Sequence, residues 1–367
     1  MNIMTNFTEL FEDCTSKGRK IKKEDYLENG RYPIIDQGQE QIAGYSDDEE
    51  GLFTEVPAIV FGDHTRIIKY VHEPFFLGAD GVKVLRCKND NANYKYLYYA
   101  LKNAKIPNTG YNRHFKWLKE TKIAYPDITK QDQITLILDK LSKIISYRKQ
   151  QLDNLDNLIK SRFVELFGTY PRNEKGWRIG TIRDIVSEVR YGSSRPSVDG
   201  GKYPYLRMNN ITYSGELDLS DVKQIDVPDN ELPKCTVRRG DVLFNRTNSK
   251  ELVGKTCVYN RDELMVLAGF VVRVRVDNKL AMPEFLSIFM NMDFTKRKLF
   301  GMCKAASGQA NINAQELQDM GIYIPPIEIQ GNFLKFKNHT DKLKFEVKKS
   351  LDETQLLFDS LMQIYFE

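Results

Sequence analysis

The stretch Ser249-Lys250-Glu251-Leu252-Val253-Gly254-Lys255-Thr256 comes within one residue of the phosphate-cradling pattern GxxxxGK[ST]. Ser249 stands where the first glycine belongs. The residues that follow, Thr256-Cys257-Val258-Tyr259-Asn260, read as a strand closing in a turn, whereas a phosphate loop must open a helix. A nucleotide-dependent enzyme would rest on Lys255 and Thr256 alone. The four histidines, His64, His72, His114 and His339, form neither an i,i+4 pair nor an HExxH motif, so a metal site is not expected. No GxSxG occurs, and the prolines near 126 and 325 belong to no Asn-Pro-Pro-aromatic methyltransferase motif. Pro126-Asp127 lacks the paired acidic-x-Lys strand of a nuclease. The run Asp47-Asp48-Glu49-Glu50 reads as a solvated acidic face. No catalytic constellation emerges.

What remains is a set of polar residues suited to reading base edges. After the strand-like Tyr203-Pro204-Tyr205-Leu206 come Arg207, Asn209 and Asn210; after Val242-Leu243-Phe244 come Asn245, Arg246, Asn248 and Lys250; a third group holds Gln309, Asn311 and Asn313. The first half offers Gln37 and Gln39, then His64, Thr65 and Arg66 beside Asp63, then Asn112, Arg113 and His114. Arginine can pair with guanine, and asparagine or glutamine with adenine, through two hydrogen bonds each, which suits major-groove reading. Residue by residue, the plainer reading is that Asn, Gly and Ser make turns. The clustering favours recognition.

Such residues need elements to hold them, and one element occurs twice. Pro126-Asp127-Ile128-Thr129-Lys130-Gln131 leads into a polar–apolar run ending at Phe167, and Pro325-Pro326-Ile327-Glu328-Ile329-Gln330 leads into one ending at Phe366. At a constant shift of 199 the copies align without a gap, with Gln131 on Gln330 and Leu158 on Leu357. Each run predicts one long helix, roughly 55 Å at 1.5 Å per residue. The first seam is expected at Leu141, Ile144 or Ile145, Arg148, Leu152, Leu155, Leu158 or Ile159, and Leu166. The second is expected at Phe333, Phe336, Leu343, Val347, Leu351, Leu357, Leu361 and Ile364. Two seams too thin to stand alone are expected to pack on each other, antiparallel, rather than to serve as core helices of single domains.

Before each helix the chain is strand-rich. Tyr32-Pro33-Ile34-Ile35, Ala58-Ile59-Val60-Phe61 and Val82-Lys83-Val84-Leu85 read as strands, Tyr94 to Leu101 as a helix, and Ile123-Ala124-Tyr125 as the last strand before Pro126. Gly168 to Gly176 is a linker, and Trp177 opens the second half. There Val271-Val272-Arg273-Val274-Arg275-Val276 alternates as a strand and Pro283 to Met292 is a short helix. The Tyr-Pro strands correspond at a shift of 171, so the second half carries about 28 more residues before its helix. The expected fold class is α+β: two strand-rich domains, 1–125 and 169–324, joined by two long antiparallel helices, 126–168 and 325–367, forming a coiled-coil rod with pseudo-two-fold symmetry.

Bulk composition permits this. A chain of 367 residues suggests two or three domains, and its net charge of +4 requires any basic footprint to be local. The five cysteines stand far apart without a CxxC, the start Met1-Asn2-Ile3 resembles no signal peptide, and no apolar run is long enough to span a bilayer. A cytoplasmic setting without membrane contact is expected.

The repeated Pro-Pro-x-x-x-Gln helix entry, Gly176-Trp177, the Tyr-Pro strands, Arg239-Gly240-Asp241-Val242-Leu243-Phe244 and Gly308-Gln309-x-Asn311-Ile312-Asn313 together resemble the specificity subunit of type I restriction–modification enzymes. The likeness covers nearly the whole chain. It implies two target recognition domains, each reading one half of a bipartite site on double-stranded DNA. The helices would set the unread gap and dock two modification subunits. Those partners would carry S-adenosylmethionine and the methyl transfer, and a restriction subunit, a motor-nuclease, would use ATP and Mg. This chain would bind no cofactor and supply no catalytic residue. It departs from the pattern in Asp127 for the second proline, in Gly110-Tyr111-Asn112-Arg113-His114 for the Gly-Gln-x-Asn loop, and in a first half without the opening tryptophan. The rival reading is a structural adaptor whose two-helix rod joins proteins without touching DNA. It predicts no electrophoretic shift of any DNA by the chain with its partners.

Overall fold

Alternating β-branched runs and two 40-residue polar–apolar runs give sheets and two long helices in the computed structural model, which describes residues 4–78, 80–110, 112–303 and 310–367. The expected start Met1-Asn2-Ile3, Tyr111, and the segment Ala306 to Gln309 lie outside the described residues. The chain divides into two compact units, Met1–Gln151 with Val347–Glu367, and Leu152–Glu346.

In the first unit a four-stranded antiparallel sheet has the order Phe11–Asp13, Val82–Cys87, Ala58–Gly62, Ile68–Val71. A smaller sheet has Tyr32–Ile35 at its centre, antiparallel to Gly44–Ser46 and parallel to Phe76–Leu77. The second unit repeats the plan. Its antiparallel sheet runs Val186–Tyr191, Val271–Val276, Val242–Asn245, Thr256–Val258, and Tyr203–Leu206 again lies antiparallel to one neighbour, Lys223–Ile225, and parallel to another, Met265–Leu267. Part of the second half's surplus appears as one more strand, Thr236–Val237, on that smaller sheet. In both units the strand leading to the long helix pairs with the unit's opening strand: Lys122–Ala124 with Met4–Asn6, and Gly321–Ile324 with Arg178–Thr181.

The first long helix is Ile128–Phe167 and the second Ile327–Phe366. Asp127, the residue that departs from the Pro-Pro pattern, caps the first by accepting from Lys130 N at 3.0 Å. Gly168 ends it at φ +80°, a conformation that favours glycine. The linker then closes on itself. Glu174 accepts from Thr169 N at 2.7 Å and from its hydroxyl at 2.6 Å, which holds the Glu174 carboxyl down to about 2.

Each unit buries parts of both helices. Ile134 and Leu138 of the first helix share the first unit's core with Met362 and Phe366 of the second, where Tyr96 lies 5.3 Å from Phe366 between ring centroids. In the second unit Phe163 and Phe167 meet Phe333 at 5.4 and 5.6 Å. The opening turns of one helix meet the closing turns of the other in both units, as in an antiparallel pair. The helix ends are therefore core elements of the globular units as well, which the thin-seam reading excluded.

The seam itself needs correcting. Of the alternatives, Ile145 and Ile159 are buried while Ile144 and Leu158 are exposed, and Leu343, Leu357 and Ile364 are exposed too. Polar residues take the inward positions instead. Thr340 is buried and bonds the Phe336 carbonyl, Thr354 bonds Ser350, and Lys344 pairs with Asp156 at 2.6 Å and Glu216 at 3.2 Å. A threonine that satisfies its hydroxyl on its own helix can occupy a seam. The strand Val271–Val276 does not alternate as half-exposed strands do, because Arg273 is buried. Its Nη2 meets Glu188 Oε2 at 2.9 Å, and Arg275 links the same oxygen at 2.6 Å to Asp241 at 2.8 Å.

Candidate nucleic-acid interface

The loop after Tyr32–Ile35 of the smaller sheet, the turn after Ala58–Gly62 of the larger sheet and the residues before the helix Phe115–Lys119 come together. In the first unit Gln37 spends its amide on two neighbours, donating to Asp80 O at 3.0 Å and accepting from His64 N at 3.2 Å, while the Thr65 hydroxyl donates to Gln37 O at 2.7 Å. Asp63 O accepts from His114 N at 2.7 Å, and Asp63 Oδ1 accepts from Phe115 N at 2.7 Å, opening the short helix Phe115–Lys119. All three predicted groups of the first half are thus brought together. Gln39, Thr65, Asn112 and Arg113 are exposed, and Arg66 half-buried.

His114, expected among the reading residues, faces inward. It has no exposed surface and its Nδ1 lies 3.0 Å from Asp63 O, so it holds two loops together and cannot meet a base edge. Asn210 and Asn245 fall the same way. Asn210 is buried, accepting from Arg207 N at 2.8 Å and donating to Asp218 O at 2.8 Å. Asn245 is buried, donating to Thr247 O at 3.2 Å and accepting from Asn248 Nδ2 at 3.0 Å. For these, turn-making was the right reading. Asn313 caps the helix Ala314–Gln318 by accepting from Gln315 N and Glu316 N. Gln309 lies outside the described residues.

The remaining second-half candidates reach the surface. Asn209, Lys250 and Asn311 are exposed, and Arg207, Arg246 and Asn248 half-buried. Arg207 donates to Asp221 Oδ2 at 2.8 Å, and Lys250 Nζ lies 4.2 Å from the centre of the Phe300 ring. A short ladder, Thr247–Asn248 on Ala310–Asn311, joins the second and third groups.

Two aromatic residues of this surface escaped the sequence reading. Tyr191 ends the strand Val186–Tyr191 with its ring 4.8 Å from the Arg246 guanidinium, and Phe270 stands exposed just before Val271–Val276. The available signal was an aromatic residue beside a glycine at a strand boundary, Tyr191-Gly192 and Gly269-Phe270.

The phosphate-loop lookalike is closed. Lys255 and Thr256 are buried, and a Cβ on Gly254 would lie 2.5 Å from Leu299 Cδ1. Lys255 Nζ donates to Met208 O at 2.9 Å, Thr256 begins a strand, and Lys296 donates to Gly254 O at 2.9 Å. Burial, with Lys255 nearby, pushes the Lys296 ammonium down to about 8. No group of three or more His, Cys, Asp or Glu among the described residues is placed to hold a metal ion. Among the same residues no helix is long and apolar enough to cross a membrane.

Sheet, loop cluster and exit helix, each present twice, define a tandem α+β protein whose polar loops hang from a repeated scaffold. The chain belongs to the type I restriction modification DNA specificity domain family, whose model matches residues 5–157 and 174–354. It is 23% identical over 280 residues to the type I restriction enzyme EcoKI specificity subunit of Escherichia coli K12, a match covering 74% of this chain but only 58% of that subunit. With the Escherichia coli EcoR124I/EcoR124II specificity subunit it shares 20% identity over 349 residues, 90% of this chain and 84% of that one. The crystal structure of a type I restriction–modification S subunit from M. genitalium superposes with a TM-score of 0.60 at 15% identity, covering 100% of this chain and 96% of that one.

Proposed function

We propose that this chain is the DNA sequence-recognition subunit of a type I restriction–modification assembly working in the cytoplasm, each unit reading one half of a bipartite site. The observation that carries this is the doubled scaffold of a specificity family with different polar residues on each copy of its loop cluster. The exposed or half-buried members, among them Thr65, Arg66 and Arg113 in the first unit and Arg207, Arg246 and Asn311 in the second, are the reading set. Buried His114, Asn210 and Asn245 shape it.

The long helices would set the unread gap and dock two modification subunits. Ile144 and Leu343, and likewise Leu158 and Leu357, are equivalent at the shift of 199, and all four are between 42% and 50% exposed. Each unit carries one member of each pair, as two copies of one partner require. The partners supply S-adenosylmethionine, ATP, Mg and all catalytic groups.

The test is to express the chain with its modification subunits and sequence the methylated sites of the host DNA. One motif of two short blocks separated by an unread gap is expected. Methylation at unrelated sequences would overturn the reading.

A further inference from the structure

The two units can be matched bond by bond at the ends of their larger sheets. Asn245 pairs with Val271 as Gly62 pairs with Val82. One residue on, Arg246 N donates to Phe270 O at 3.0 Å and Asp63 N to Gly81 O at 2.7 Å. The carbonyls of these residues then accept from Ile312 N at 2.9 Å and His114 N at 2.7 Å. Arg246 and Asp63 thus fill the same backbone slot.

Their side chains do opposite things. Asp63 is buried and caps the helix Phe115–Lys119. That duty falls to Asn313 in the second unit, which leaves the side chain in the Arg246 slot free of the capping task. The guanidinium lies on Tyr191, with Nη1 3.5 Å from Gly269 O. Tyr191 itself is 44% exposed and anchored by its hydroxyl, which accepts from Ala314 N at 2.9 Å. In the first unit the corresponding edge strand, Phe11–Asp13, stops short in the turn Thr15–Lys17 and brings no aromatic there. Exposed Phe270 and Asn311 flank the pair.

An arginine held against an aromatic ring has a restricted rotamer, and because the Arg246 Nε is buried it is the edge formed by its two Nη groups that suits the O6 and N7 acceptors of guanine. We propose that Arg246 reads a guanine in the half-site contacted by the second unit, with Tyr191 as its positioning residue. This rests on the DNA-recognition reading above.

The test uses the chain assembled with its modification subunits, comparing methylated motifs and binding to duplexes of the wild-type motif at several salt concentrations. Arg246→Gln is expected to change or relax one guanine position of one half-site, leave the other half-site intact, and weaken binding to the native site roughly ten- to a hundredfold. Arg246→Lys, which keeps the charge, should relax the same position. Tyr191→Leu should do so too, while Tyr191→Phe, which keeps the ring but loses the hydroxyl that anchors it, should do so to a smaller extent than Tyr191→Leu. A phosphate contact would give a different result, in which Arg246→Gln weakens all sequences alike and lowers the salt slope by about one while the motif stands. That outcome, or a wild-type motif without guanine, overturns the assignment and leaves bipartite recognition standing. Loss of any wild-type motif would instead overturn the function itself.

Discussion

Arg66 adopts φ +61° in the turn that joins Ala58–Gly62 to Ile68–Val71, donating its N–H to Gly62 O at 2.7 Å. A side chain other than glycine costs roughly 1 kcal/mol in that region, and the Nη1 contact with Ile106 O at 3.2 Å is a single bond set against it. An arginine kept where glycine would fit better points to use on the surface. Arg66→Gly is expected to stabilise the chain by about 0.5 kcal/mol in urea unfolding and to weaken binding of the assembly to its DNA site. A fall in both would mean that Arg66 is structural. At this scale the sequence located the loops but could not sort them. Asn209 and Asn210 are neighbours of one type, and only the carbonyls of Asp218 and Asp221, reached by folding, decide that Asn210 is buried and Asn209 exposed.

The repeated glutamine of the helix entries has a role that the repeat alone left blank. Gln131 donates to Pro126 O at 2.8 Å and accepts from Asn93 N at 3.1 Å; Gln330 donates to Pro325 O at 2.8 Å and accepts from Met282 N at 2.9 Å. Asn93 and Met282 are the residues just before the short helices Tyr94–Lys102 and Pro283–Asn291. Each long helix is thereby locked to the same helix of its unit through a buried amide with both ends satisfied. Gln330→Leu leaves these backbone groups unpaired and is expected to cost about 3 kcal/mol, read as a lower urea midpoint. A loss under about 0.5 kcal/mol would show that the lock is unimportant. The helices themselves were legible from period and length. Their inward face was less so, because apolar spacing is a local signal. The positions of Leu141 and Leu155 hold Thr340 and Thr354 in the second copy, which bury polar atoms without exposing them unpaired.

For the molecule as a whole, the two long helices are the covalent path between a unit and the rest of the chain, and their equal length of 40 residues is itself a quantity to test. Removing one heptad from each at matched positions, 148–154 and 347–353, which spare the four docking residues, shortens each by about 10 Å and nearly preserves the inward face. The unread gap of the methylated motif should shrink by about three base pairs, at 3.4 Å per step, with both half-sites unchanged. An unchanged gap in a folded, active assembly would remove the helices from any measuring role.

Two copies of one helix entry, matched helix lengths, strand-rich segments ahead of each and a surplus in the second half could be read directly, because repeats and periodicity reside in the order of residues. The tertiary structure alone decided that His114 and Asn245 turn inward, that Ile145 rather than Ile144 faces the core, that Arg273 can be buried, and that Tyr191 comes to lie against Arg246. Each of these depends on partners far away along the chain. Burial and hydrogen bonding are set by the groups that folding brings near, which no local pattern of residues records.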